Sequence, residues 1–300
     1  MTWAILGAGA LGSVIGAELF KGGADIVLLD TNDAHLTAIQ SKGLRVDWDD
    51  KTDYLPVPAM RPVDAPELDL VILLTKTMHS QAALASIEPS IAAGACVLTL
   101  QNGLGNVEQI RSQVPDEQIL YGCTMTPGDL RGPGHVVSHG IAYTPFAPLT
   151  ENPAAKRVAD QLVARGFEKT SKAAAKIWEK ASFNCAMNAM AVLGEGPVGL
   201  IAEFVGGALA CQIANEVLDV AAADGVVTDR DAVAAQIDFA LEKHTAHKPS
   251  MLQDIEAGRA TEIEALNGYA ATRGTALGVP VPLNTLLASL VRMKQHQRLA

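Results

Sequence analysis

Aromatic residues are scarce in this 300-residue chain, at 4%. That leaves little material for the stacking platforms that hold single-stranded nucleic acid. Basic charge is also in deficit: 23 Lys+Arg against 33 Asp+Glu gives 23 − 33 = −10. With no basic run of phosphate-binding length, no nucleic-acid or membrane partner is expected. The balance still allows a local basic pocket for a small anion. Cysteine is limited to Cys96, Cys123, Cys185 and Cys211, and no pair has CxxC spacing. No zinc knuckle or thioredoxin-like motif is visible, no metal is expected, and scattered thiols of this kind fit a reducing cytoplasm as small buried apolar residues. Long apolar runs are missing as well. The most membrane-like stretch, Ala186 to Ala214, is broken by Glu195, Pro197 and Glu203, short of the uninterrupted span a bilayer needs. The opening MTWAILGAGALG has no basic n-region and no signal-type cleavage site, so a cytoplasmic location is the expectation.

What the chain does have is apolar surface: 49% hydrophobic against 19% charged residues, which excludes a disordered chain. Its length makes two domains the default. From residue 1 to 171, short apolar runs alternate with helix-like segments, the signature of βαβ units and a parallel sheet. Trp3–Leu6, Asp25–Leu29, Leu68–Leu74 and Cys96–Leu100 read as strands, and Leu11–Lys21 as a helix stopped by Gly22 and Gly23. The His135–Tyr143 run reads as antiparallel strand. From 172 to 300 the texture is helical, with candidates at Ala173–Leu193, Ile201–Asp224, Arg230–Lys243, Ile263–Arg273 and Leu283–His296. Gly274 is the expected stop of the fourth, and Pro280 and Pro282 punctuate the start of the last. The fold class expected is an α/β N-terminal dinucleotide-binding (Rossmann-type) domain followed by an all-α substrate domain.

Gly7-Ala8-Gly9-Ala10-Leu11-Gly12 follows a strand and opens a helix. The first glycine permits the tight turn, the second lets backbone approach a pyrophosphate, and the third lets helix and strand pack closely. The helix N-terminus then presents N–H groups to phosphate. Asp30 closes the second strand, where an acid accepts hydrogen bonds from ribose hydroxyls and repels a 2′-phosphate. This favours NADH; Thr31 and Asn32 offer no replacement charge for a phosphate. A helix-capping role for Asp30 or Asp33 is the competing reading. Lys76 and Asn102 lie just beyond the carboxyl ends of probable parallel strands, where open α/β sheets bind ligands. In isolation they would read as a solvated lysine and a turn asparagine.

Lys180, Asn184 and Asn188 are spaced i, i+4, i+8 on one face of an otherwise substantially apolar helix. Asparagine is a mediocre helix former. A solvated face would carry Glu, Lys and Arg instead, so the stripe reads as lining a site. A second polar cluster runs Lys248-Pro249-Ser250-Met251-Leu252-Gln253-Asp254, then Thr261-Glu262-Ile263-Glu264. Ser250 and Glu262 could reach the Lys180 stripe if their helices pack; helix capping and a solvated first turn are the alternatives.

In order and spacing, these residues together resemble the ketopantoate reductase (2-dehydropantoate 2-reductase) family across nearly the whole chain. The resemblance implies NADPH-dependent reduction of a 2-keto acid to a 2-hydroxy acid, 2-dehydropantoate to pantoate, in pantothenate synthesis. It implies that Lys180 is the catalytic lysine and general acid, and that Glu262 is its partner acid and a cofactor contact. Asn102, Asn184, Asn188 and Ser250 match substrate-binding positions. Gly7, Gly9, Ala10, Leu11, Gly12, Asp30, Lys76 and Asn102 fall at cofactor-side positions. Two departures stand out: Asp30 is acidic where the family usually has a basic residue, and His247 stands where the family often has Asn. They leave open an NAD-dependent dehydrogenase of the same family, acting on another hydroxy acid in a catabolic direction. A non-catalytic NAD(H)-sensing protein is the reading from another class; it would not require Lys180 and Glu262. The expected partner is a small keto or hydroxy acid. The Pro197–Ala214 region is either interior or the surface of a homodimer, a modest expectation from how often enzymes form symmetric pairs.

Overall fold

Strand β1 (Thr2–Leu6) is apolar at four of its five positions and buried on both faces, as a central parallel strand must be. In the computed structural model, which describes residues 1–299, it has β2 (Asp25–Leu29) on one side. The helix α1 (Ala10–Lys21) connects the two, and α2 (Asp33–Lys42) follows β2. A small antiparallel pair, β3 (Leu44–Asp47) and β4 (Thr52–Leu55), comes next, then the two-residue β5 (Ala59–Met60). β6 (Leu70–Leu73) returns to the other side of β1. After α3 (Ser80–Ala85) and α4 (Glu88–Ala92), β7 (Cys96–Thr99) adds beside β6. α5 (Asn106–Ile110) leads to β8 (Ile119–Gly122).

The hairpin β9 (Asp129–Gly132) and β10 (His135–Val137) joins β3 and β4 in a separate four-stranded sheet. β11 (Pro145–Pro148), α6 (Pro153–Val163) and β12 (Glu168–Lys169) complete the main sheet. Its order is β12-β11-β8-β7-β6-β1-β2-β5, parallel except where β11 meets β8. The order reverses at β1, with β6 and β2 on opposite sides. That is the topological switch point, at whose carboxyl end such sheets bind ligands.

The helical part runs α7 (Ala173–Gly194), α8 (Val198–Phe204), α9 (Gly206–Ala223), α10 (Arg230–Lys243), α11 (Ser250–Glu256), α12 (Asn267–Leu277) and α13 (Pro282–Leu299). Its core includes Trp178, Cys185, Val192, Val217, Leu252, Ile263 and Val291. The chain forms two compact units. One holds Met1–Gln101 and Asn106–Ala173; the other holds Asn102–Gly105 and everything from Ala174 onward. Among the described residues no single helix is long and apolar enough to cross a membrane, and α7 and α8 meet at a 90° bend.

Several expected elements change shape. The Ile201–Asp224 helix is two helices, because Gly206 adopts a φ of +76° at the break. The His135–Tyr143 strand stops at Val137. The Ile263–Arg273 helix begins as a 3₁₀ turn, Ile263–Ala265, and α12 continues through Gly274 to Leu277. Gly274 is a packing glycine: a Cβ there would sit 2.9 Å from both Val279 O and Val281 Cγ2. The actual stop is Gly278, in the left-handed conformation. Cys96, Cys123 and Cys185 are buried and Cys211 is half-buried, and none of the four is in a disulfide.

Candidate active site

In the sheet unit, the turn after β1 is shaped by what its glycines lack. Gly7 has φ +100°, and a Cβ there would lie 2.5 Å from Thr75 N beyond the end of β6. A Cβ on Gly12 would lie 2.1 Å from Gly7 O. Gly9 differs: a Cβ there would meet nothing within 4 Å. Two glycines therefore close the turn, and the third leaves open space at the head of α1. Gly9 is the N-cap of α1, with no side-chain cap and no acid in the first turn. Ala10 and Leu11 follow as its first helical residues. This cradle, at the positive end of a helix, fits the pyrophosphate of a dinucleotide.

Asp30 leaves β2 half-buried, and its Oδ1 accepts from Thr31 N at 2.8 Å and Asn32 N at 2.9 Å. Neither acid caps α2; Asn32 does, accepting from His35 N at 3.2 Å. Thr31 and Asn32 carry no charge, as their sequence shows, but strand pairing adds a basic neighbour. Leu29 pairs with Met60, and Asp30 N donates to Met60 O at 3.3 Å, so Arg61 stands beside Asp30. The Arg61 guanidinium is paired with Asp33 at 2.5 Å, both side chains largely exposed. Nothing local in the sequence signals this neighbour; parallel pairing of β5 with β2 creates it.

Lys76 is half-buried three residues past β6 and caps the 3₁₀ turn Thr77–His79, with His79 N donating to its carbonyl. Gln101, buried just past β7, fastens this region. Its Nε2 donates to Thr75 O at 2.8 Å and Ser80 Oγ at 2.8 Å, while its Oε1 accepts from Thr99 Oγ1 at 3.2 Å. The sequence marks Gln101 only as a neighbour of Asn102; its anchoring role needs the adjacency of β6 and β7.

The remaining candidates lie in the helical unit. Asn102 belongs to that unit, and its Oδ1 accepts from Lys180 Nζ at 2.7 Å. The segment is seated by backbone: Leu104 N donates to Ala265 O at 2.7 Å. Gly103 and Gly105 have φ of +92° and +78°, and Cβ atoms there would strike Ala265 O at 2.6 Å and the Tyr269 ring at 2.5 Å. This seating brings Asn102 against the stretch that Glu262 opens. Glu262 is 6% exposed, and its carbonyl accepts from Ala265 N at 3.0 Å.

Lys180, Asn184 and Asn188 share the face of α7 that their spacing predicts. Lys180 and Asn184 are half-buried, whereas Asn188 is 3% exposed. Asn188 Nδ2 donates to Asn184 O at 3.2 Å; its Oδ1 accepts from Met251 N at 3.0 Å and Ser250 Oγ at 3.4 Å. The N-cap of α11 is Pro249, which has no capping side chain, so Asn188 supplies the acceptor from another helix. Ser250 itself is exposed. On its far side α7 is held by Asn267, whose Nδ2 donates to Cys185 O at 3.0 Å and Asn284 Oδ1 at 2.9 Å. Burial pushes the Cys185 thiol well above its ordinary range, so it is an inert packing group.

Comparison with known proteins identifies the family. Residues 3–151 match the family model "Ketopantoate reductase PanE/ApbA", and residues 172–295 match "Ketopantoate reductase PanE/ApbA C terminal". A 2-dehydropantoate 2-reductase of Streptococcus pyogenes serotype M18 is 33% identical over 298 residues, covering 97% of each chain. Among solved structures, a D-mandelate dehydrogenase with NADH and anilino(oxo)acetate superposes with a TM-score of 0.93 at 30% identity, covering 100% of both chains. A PanE/ApbA family ketopantoate reductase from Ralstonia eutropha gives 0.90 at 31% identity, again over 100% of both. The chain therefore belongs to the ketopantoate reductase family, NAD(P)-dependent oxidoreductases that act on CH–OH groups.

Proposed function

We propose that this protein reduces a 2-keto acid to the corresponding 2-hydroxy acid, with 2-dehydropantoate as the favoured substrate and Lys180 as general acid. The observation that carries the reading is the Lys180 ammonium held 2.7 Å from the Asn102 amide oxygen. That bond orients a cation on the polar stripe of α7 without neutralising it. A bound nicotinamide dinucleotide supplies the hydride. As the keto oxygen gains charge, Lys180 stabilises it and delivers a proton. Glu262, acidic and buried, offsets the lysine charge. Asn184 and Ser250 bind substrate hydroxyl and carboxylate oxygens. Asn188 acts one step back, by holding Ser250 and the head of α11. Gly7, Gly9, Ala10, Leu11 and Gly12 receive the pyrophosphate, and Lys76 adds positive charge on the cofactor side.

The cofactor we propose is NADH. Asp30 holds a backbone-fixed carboxylate where a 2′-phosphate would sit, and the nearby Arg61 is engaged by Asp33. The same feature supports a second reading, an NAD-dependent dehydrogenase for a different 2-hydroxy acid, since a D-mandelate dehydrogenase with NADH is among the similar structures. The test is initial rates with 2-dehydropantoate and with the 2-keto acid of mandelate, each with NADH and NADPH in parallel. Turnover of 2-dehydropantoate with NADH is the expected outcome. Turnover of the aromatic acid alone selects the second reading, and NADPH preference overturns the role of Asp30.

A further inference from the structure

Two polar side chains in the core of the sheet unit take no part in the reaction. Ser13, on α1, is completely buried, and His35, on α2, is 2% exposed. They form one chain of hydrogen bonds. Gly134 N, at the tip of the β9–β10 hairpin, donates to His35 Nδ1 at 3.0 Å. Nδ1 is therefore the unprotonated nitrogen, and Nε2 carries the hydrogen. His35 Nε2 lies 3.2 Å from Ser13 Oγ and donates to it. The hydroxyl proton of Ser13 is then directed to Ala8 O, at 2.8 Å. Burial pushes the imidazole pKa below its ordinary value, against the pull of the Asp30 charge and of the Ala8 carbonyl that the ring also approaches, and favours the neutral ring this pattern needs.

The acceptor at the end of the chain is in the dinucleotide-binding turn. A trans peptide is planar, so Ala8 C=O and Gly9 N–H point in opposite directions. Drawing the carbonyl inward to Ser13 therefore turns the Gly9 N–H the opposite way, and Gly9 itself is exposed. The preceding peptide is held too, since Ala8 N donates to Leu29 O at 3.2 Å. The hairpin end is fixed by packing: Gly134 has φ +69°, and a Cβ there would lie 2.8 Å from Ala38 Cβ on α2.

We propose that His35 is a positioning residue for dinucleotide binding, acting through Ser13 to hold the Ala8–Gly9 peptide with its N–H toward the pyrophosphate. The inference rests on the reading of this turn as the dinucleotide site. Ser13→Ala and His35→Phe each interrupt the chain without leaving a large cavity. His35→Gln retains an N–H donor for Ser13. Binding of NADH and NADPH is titrated by fluorescence for wild type and all variants, alongside thermal melting and turnover at saturating cofactor.

Loss of one charge-assisted backbone contact to phosphate corresponds to affinity weakened on the order of tenfold. The expected result is that loss in Ser13→Ala and in His35→Phe, with kcat unchanged. The double variant is no weaker than either single one, because both act through one chain, and His35→Gln stays within about twofold of wild type. Unchanged affinity in Ser13→Ala, or His35→Gln as weak as His35→Phe, overturns the proposal while leaving the dinucleotide reading intact. Wild type that binds neither cofactor overturns both.

Discussion

In the sheet unit, the residues at the β1–α1 turn matter for the side chains they do not have. In the helical unit, Lys180, Asn184, Asn188 and Ser250 matter for the polar ends they carry. Gly7 and Gly12 are required by backbone atoms within 3 Å of where a Cβ would be, and Gly9 by the space it leaves. Lys180 and Asn188 are defined by partners far away in the chain, Asn102 and the Ser250–Met251 pair. A cradle for a phosphate can be made of backbone, because N–H groups and a helix dipole are supplied by any sequence that forms the turn. A proton donor and its orienting groups cannot, because they must be particular functional groups at set distances.

The comparison is tested most severely at Lys180. Lys180→Ala should lower kcat by about 10²–10⁴-fold, the range for losing a general acid, while NADH affinity measured by titration stays near wild type. Loss of cofactor binding in that variant would erase the division of labour between the units.

The glycines give the next largest effect. Gly7→Ala forces a φ of +100° and a clash 2.5 Å from Thr75 N. It should cost about 1–3 kcal/mol of stability as well as cofactor affinity. Gly9→Ala, which meets nothing within 4 Å, should melt like wild type yet bind dinucleotide more weakly. Equal melting temperatures for the two alanine variants would show that the turn is not close-packed as described.

Cofactor choice sharpens the comparison within the sheet unit, where side chains do enter. Asp30→Asn should move the NADPH-to-NADH ratio of kcat/KM toward NADPH by roughly tenfold, about 1.4 kcal/mol. Adding Asp33→Asn should move it further by releasing Arg61. No change in the ratio would place the discrimination elsewhere.

In the helical unit, Asn188→Ala removes the acceptor for Met251 N and should cost about 1 kcal/mol, as loss of a helix cap does. Its effect should fall on stability and substrate KM together, read by thermal melting and initial rates. An effect on KM alone would mean that Asn188 touches the substrate directly.

The smallest effect concerns His35. Its pKa is lowered on folding by burial, so the folded protein resists protonating a ring that the unfolded chain protonates freely. This contribution is fully present above the ordinary value of 6.5 and is lost progressively as pH falls below it. Urea melts between pH 7 and pH 5 should show the decline, and His35→Gln should remove that component.

Much of the fold was legible because local rules produce it. The βαβ alternation, the Gly7–Gly12 turn and the apolar helix Ala173–Gly194 follow from hydrophobic period and turn chemistry. The break at Gly206 was not legible, because an isolated glycine inside a helical pattern can be tolerated without ending it. The true stop at Gly278 was obscured by Gly274, where close packing rather than a left-handed turn selects glycine. Of the second sheet only β10 was legible, within the His135–Tyr143 run; β3, β4 and β9 lack the continuous apolar runs that mark β6 and β7.

The sequence by itself determined the parts whose cause lies within a few residues: strand, turn, helix, the polar stripe on α7 and the acid at the end of β2. Tertiary structure alone decided which side chains share a bond. Strand pairing set Arg61 next to the end of β2, where it bonds Asp33; Asn102 reached Lys180 through the seating of residues 102–105, and His35 joined Ser13 and the Gly134 backbone across three elements. Periodicity records which face a residue occupies, whereas a hydrogen bond depends on which two faces the folded chain brings within 3 Å, and that is a property of the whole packing.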